Sequence, residues 1–198
     1  MIVEELIEKI DSYTLNDGEK LQVLDMCTGS GAIVLSASKL SSNSTHTDFY
    51  GVDISSGALE VSKKNADNFN ISNVRFIESN LFDACEVQKL KGKLDIIVSN
   101  PPYIEEEVIR GLESDVKDYE PMIALSGGES GMDFYNRIIE EASVFLKDGG
   151  ILIFESGHDQ AEKIGRKLSE TGFYDIYTKK DIQGFERMVC AKLSYSKR

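Results

Sequence analysis

Leu21-Gln22-Val23-Leu24-Asp25-Met26-Cys27-Thr28-Gly29-Ser30-Gly31-Ala32-Ile33-Val34-Leu35 runs from a short apolar stretch, through a turn with two glycines, into a helical pattern. Leu21 to Met26 has the length and composition of a buried strand, and Ala32 to Leu40 has those of a helix. Glycines between the two let a ligand approach backbone N–H groups that a Cβ would screen. Such turns also serve tight helix–strand packing alone. A dinucleotide fingerprint counted from Gly29 needs glycine at position 34, where Val34 stands, so NAD is disfavoured. Asp53 lies roughly 20 residues beyond the turn, at the end of the next apolar run, where a carboxylate accepts hydrogen bonds from ribose hydroxyls. Turn and carboxylate together suit a nucleoside.

Outward from this unit the same alternation continues. The spacing predicts a strand over 48–52, a helix over 57–69, strands over 74–77 and 94–99, a helix over 132–146, a strand over 151–155 and a helix over 159–171. Two further strands, 173–178 and 187–193, have no helical stretch between them and predict an antiparallel hairpin at one sheet edge. Ahead of the first strand, Val3, Leu6, Ile7 and Ile10 form an apolar helical face that ends before Asn16-Asp17-Gly18. The expected fold is α/β, a mostly parallel twisted sheet with helices on both faces. Glu105 to Gly131 shows no period and is expected to be an irregular functional loop, a wall or lid beside Tyr103, the alternative being a surface excursion held by Tyr119-Glu120-Pro121.

With 198 residues the chain has single-domain size, long enough for a proper core. Its formal net charge of -12 opposes non-specific attraction to phosphate backbones, so duplex DNA and long RNA are not expected partners. No apolar run approaches the ~20 residues of a membrane span, and Met1-Ile2-Val3-Glu4-Glu5 lacks the order of a signal peptide, which predicts a soluble cytoplasmic protein. Cys27, Cys85 and Cys190 are widely spaced and odd in number, and only His46 and His158 could join them, so reduced thiols are expected and no metal site. Glu105-Glu106-Glu107 reads as a solvated face and His158 as a loop residue.

Asn100-Pro101-Pro102-Tyr103 follows directly on the strand at Leu94 to Ser99. The prolines fix their own φ and push the residue before them into extended geometry, which aims the Asn100 side chain at a fixed point. Asn100 offers a neutral acceptor oxygen, the Pro101 carbonyl a second, and Tyr103 a flat face. The set suits a planar –NH2 group. Asparagine before proline also initiates turns.

The chain resembles the class I S-adenosylmethionine-dependent methyltransferases, with their Rossmann-like fold, through Asp25 to Gly31, Asp53 and the Asn-Pro-Pro-Tyr sequence. More narrowly, Thr28 to Ile33, Ile97 to Ile104, Asp115-Val116, Tyr119-Glu120-Pro121, Ala124-Leu125, Ser130-Gly131-Met132 and Glu155-Ser156-Gly157 make it similar to the HemK/PrmC family. That resemblance implies methylation of a glutamine side-chain amide in peptide chain release factors, with Asn100, Pro101, Pro102 and Tyr103 as the catalytic set. It implies S-adenosyl-L-methionine as cofactor, leaving as S-adenosyl-L-homocysteine. Asp25, Cys27, Thr28, Gly29, Ser30 and Gly31 would lie along its methionine part, Asp53 with Ile54 at its ribose, Asn80 and Leu81 beside adenine, and Asn100 between the two half-sites. Cys27 departs from the family's common glycine and Asn80 from its frequent aspartate. The family's helical N-terminal domain has no counterpart before the first helix, so residues 1–198 are read as a single catalytic domain. The rival expectations are an amino-methyltransferase acting on adenine or guanine in nucleic acid, and a cofactor-binding module without catalysis. The sequence sets no oligomeric state.

Overall fold

A computed structural model describes residues 1–16, 18–111 and 125–197. Among them, β1 (Leu21–Met26), β2 (Thr47–Asp53), β3 (Val74–Glu78), β4 (Leu94–Ser99), β5 (Leu146–Glu155), β6 (Phe173–Lys180) and β7 (Glu186–Leu193) form one sheet in the order β3-β2-β1-β4-β5-β7-β6. The first five pair in parallel. β7 runs antiparallel to both β5 and β6, so the closing hairpin lies at the sheet edge that the sequence predicts.

The described residues include seven α-helices: α1 (Ile2–Ser12), α2 (Ala32–Leu40), α3 (Ser56–Asn68), α4 (Cys85–Gln88), α5 (Glu106–Gly111), α6 (Asp133–Phe145) and α7 (Ala161–Glu170). Side chains alternate across a strand, so each central strand feeds two cores. Leu21 and Val23 of β1 pack with Leu6 and Ile10 of α1, Val34 and Leu35 of α2 and Ala66 of α3. Leu24 and Met26 of the same strand pack with Ile138, Ile139 and Ala142 of α6 and with Ile164 and Leu168 of α7. Every residue of β4 is buried, which explains its unbroken run Leu94-Asp95-Ile96-Ile97-Val98-Ser99.

β1 continues through α2 to β2 on one side, while its neighbour β4 continues toward β5 on the other. A crevice therefore opens between them at their carboxyl ends, the usual ligand position in such sheets. The register is decisive for what meets there. Met26 pairs with Val52 on one side and with Ser99 on the other, so Cys27, Asp53 and Asn100 emerge side by side.

Three local expectations change. β5 begins at Leu146, ahead of the expected 151, because its pairing with β4 jumps from Leu94↔Leu146 to Ile96↔Ile151 across the polar Lys147 to Gly150. The stretch expected to be irregular contains α5 and a bridge between Ile104 and Ser126. α4 appears where no element is expected. Asp115-Val116 and Tyr119-Glu120-Pro121 lie outside the described residues.

Candidate active site

The loop after β1 is built around Asp25. Its Oδ2 accepts from Thr28 Oγ1 at 2.7 Å and from the Val34 backbone N–H at 3.3 Å, pinning the turn to the first turn of α2. Thr28 N–H also donates to Val52 O at 2.9 Å, which ties the turn to β2. Gly31 closes it at φ 80, a left-handed conformation open to glycine, and a Cβ there would meet Leu35 Cδ1 at 2.9 Å. Asp25 and Gly31 thus stand behind the cleft wall and shape it. Burial lifts the Asp25 carboxyl to about 7, with the Asp53 charge adding to the rise and the bonds from Thr28 and Val34 opposing it.

Cys27 occupies φ 61, the region a glycine would take without cost, at a penalty of about 1 kcal/mol for a residue with a Cβ. Burial, followed by the Asp53 and Asp25 carboxylates, pushes its thiol up to about 12. It is a neutral, unreactive lining group.

Asp53 closes the opposite wall. Its Oδ2 accepts from Gly29 N–H and its Oδ1 from Ser55 N–H, both at 2.9 Å. Each oxygen has a second lone pair for a further donor, so a diol could bind without displacing either bond. Ser55 in turn caps α3 by accepting from Ala58 N–H at 3.2 Å.

These loops enclose a cleft of about 640 Å³, within the usual range of small-molecule sites. Of the residues predicted from sequence, Cys27, Thr28, Gly29, Ser30, Asp53, Ile54, Asn80, Leu81, Asn100 and Pro102 line it. Pro101 is buried and Tyr103 half-buried, its ring packed on the core between sheet and α6. Ser99 Oγ donates to Met26 O at 2.7 Å, which holds the strand end before Asn100 against the one before Cys27. His158 sits exposed, edge-on to Phe185.

Sequence reasoning misses Ser55, which caps α3, Ala58 and Val61 of α3, and Phe134 of α6, all of which line the cleft. Phe134 lies four residues before the buried Ile138 and so reads as part of a core stripe. Ala58 and Val61 read as ordinary helix residues, and only their nearness to Asp53 hints otherwise.

The strand order, the antiparallel β7 and a crevice between β1 and β4 define a class I methyltransferase fold. A family model described as "Methyltransferase domain" matches residues 17–190. The release factor glutamine methyltransferase of Clostridium acetobutylicum is 43% identical over 192 residues, 96% of this chain and 64% of that protein. The one of Thermodesulfovibrio yellowstonii is 34% identical over 99% of this chain and 67% of that protein. Among solved structures, ribosomal protein L11 methylase from Lactobacillus delbrueckii superposes with a TM-score of 0.61 at 21% identity, covering 98% of this chain and 76% of that one. The chain belongs to the methyltransferase-domain family and, within it, to the HemK/PrmC family of release factor glutamine methyltransferases. It spans about 64% of the length of the first of these relatives.

Proposed function

We propose that residues 1–198 act as one catalytic domain that transfers the methyl group of S-adenosyl-L-methionine to a glutamine side-chain amide nitrogen in a protein. The proposed substrate is the Gly-Gly-Gln loop of a peptide chain release factor. The observation that carries this reading is the sharing of one cleft by Asn100 and the Cys27 to Ser30 turn, brought together by the Met26↔Ser99 register. An acceptor held by Asn100 and a nucleoside held by the turn would face each other across it.

The cleft's chemistry fits the cofactor. Its volume admits a nucleoside with an amino-acid tail, Asp53 keeps a lone pair on each oxygen for the ribose hydroxyls, and Leu81 and Phe134 give apolar walls for a base. When bound, the cofactor supplies a methyl carbon on a positively charged sulfur and leaves as S-adenosyl-L-homocysteine. A carboxamide nitrogen is a poor nucleophile because its lone pair is delocalised, so position matters more than basicity. The Asn100 oxygen and the Pro101 carbonyl each accept one N–H of the substrate amide, and the exposed part of the Tyr103 ring sets its plane. Both oxygens stabilise the positive charge that grows on nitrogen more strongly in the transition state than before it. The proton lost from nitrogen passes to solvent, and no strong base is required.

The test supplies labelled cofactor together with purified release factor, total RNA or duplex DNA, and maps the labelled atom. Label is expected on a glutamine side chain, and label on nucleic acid alone would replace this reading with the amino-methyltransferase of bases. Asn100→Ala is expected to lower kcat by ~10²-fold or more while cofactor affinity, measured by calorimetry, changes little.

A further inference from the structure

We propose that Gln160 is a positioning residue for methyl transfer, fixing the acceptor corner at Tyr103 relative to the wall of the cofactor cleft. This rests on the methyltransferase reading above and names a residue that neither the sequence patterns nor the cleft lining singles out. Gln160 directly precedes α7, yet its side chain does not cap that helix. It turns inward and is 4% exposed.

All of its polar reach is spent on three loops. Nε2 donates to Tyr103 O at 2.9 Å and to Gly131 O at 3.2 Å, and Oε1 accepts from Gly157 N–H at 3.1 Å. Two hydrogens on one nitrogen and an acceptor oxygen at a fixed distance are what a primary amide has and what neither a carboxylate nor a hydrocarbon chain can supply. The packing is close as well. A Cβ on Gly157 would lie 2.7 Å from Gln160 Oε1 and 3.4 Å from Tyr103 Cδ2, so the ring of Tyr103 rests over this glycine.

Each loop leads to the site by a different route. Tyr103 closes the Asn100-Pro101-Pro102-Tyr103 corner, and the residue after it is held in turn, with Ile104 N–H donating to Leu125 O at 3.0 Å and Gly127 N–H to Ile104 O at 2.9 Å. Gly131 leads through Met132 and Asp133 to Phe134, which lines the cleft. Gly157 follows the end of β5. The prolines stiffen the acceptor corner from its N-terminal side, and Gln160 anchors its C-terminal end. The same nitrogen bonds the segment that carries Phe134, so this side chain adds a direct tie between acceptor corner and cofactor wall to the backbone bonds from Gly127 N–H to Ile104 O and from Asp133 N–H to Gly127 O. An error near 1 Å in such a spacing costs on the order of 10²-fold in rate.

The experiment compares wild type with Gln160→Leu and Gln160→Glu, measuring kcat, KM for release factor, cofactor affinity by calorimetry and Tm. Leucine removes the three bonds at similar size, and glutamate keeps an acceptor but sets a charge against two carbonyl oxygens. Both are expected to lose kcat by about ten- to a hundredfold, with cofactor affinity and KM within about threefold of wild type. Ile164→Val and Leu168→Ala, on the buried face of α7, bracket the loss of Tm and are expected to keep kcat near wild type. The proposal is overturned if the Gln160 variants keep kcat, or if the α7 controls lose it in the same proportion to Tm. If wild type itself transfers no methyl group to protein, the functional reading falls first and this proposal with it.

Discussion

Asp25 is fully buried, with one oxygen bonded to Thr28 and Val34 and the other without a partner among the described residues. Its native carboxyl titrates near 7 because burial disfavours the charged form, against 3.8 when the chain is unfolded. A raised native value stabilises the fold fully below the unfolded value, and that contribution is lost as pH rises through the native one. In the absence of ligand, the stability of wild type relative to Asp25→Asn should therefore fall between about pH 4 and pH 7 and level off above. Urea melts across that range check it, and parallel curves for the two proteins would refute it. The same residue shows the limit of sequence reading. Its place beside the glycines marks it as part of the site, but its role as a buried brace depends on bonds to residues three and nine positions away. Cys27 is similar: its departure from the family's glycine is plain in the sequence, while the left-handed φ that makes the departure costly is visible only in the fold.

At the scale of elements, α1 is held to the sheet by apolar contacts and by one buried carboxylate. Ile2, Leu6 and Ile10 pack into the core, and Glu5, 1% exposed, meets Tyr177 and Lys179 of β6 and, at 3.1 Å, Lys9 of its own helix. Burial alone would raise the Glu5 carboxyl, but the hydrogen bonds from Lys179, Tyr177 and Lys9 outweigh it and hold it below its ordinary value. A lowered native value gives stability above the unfolded value that is lost as pH falls through the native one. Glu5→Ala should cost about 2 kcal/mol at neutral pH, chiefly by removing the carboxylate that Tyr177, Lys179 and Lys9 share, and the cost should shrink below about pH 4. A pH-independent loss would show that packing dominates instead. Elements with long apolar runs or regular helical faces are legible in the sequence for this reason: β1, β2 and β4 are buried along most or all of their length, and each of α1, α2, α3, α6 and α7 buries a periodic face. α4 and α5 are too short to show a period, and the polar residues after Leu146 hide the start of β5. The hairpin of β6 and β7 is legible because nothing helical separates its strands.

The whole molecule carries a formal charge of -12, and part of that charge stands around the cleft. Asp53 lies in its wall, and Glu78 and Asp83 flank an adjoining hollow that shares Ile54, Ser79 and Asn80 with it. Such a field discriminates between the proposed ligands. S-adenosyl-L-methionine adds a sulfonium to a zwitterionic tail and is a net cation, whereas S-adenosyl-L-homocysteine has a neutral sulfur and no net charge. Distant carboxylates act on the difference only when salt does not screen them, over about 30 Å at ~0.01 M and about 3 Å at ~1 M. The affinity for S-adenosyl-L-methionine should therefore fall a few-fold across that range while that for the product stays nearly level. Product release would then be aided by the loss of positive charge in each turnover, and strong attraction of a polyanion to the same face would be unexpected. Calorimetric titration of both nucleosides at low and high salt measures this directly. Equal slopes for the two would mean that only local contacts hold the sulfur, and that the charge of the molecule plays no part in retaining substrate over product.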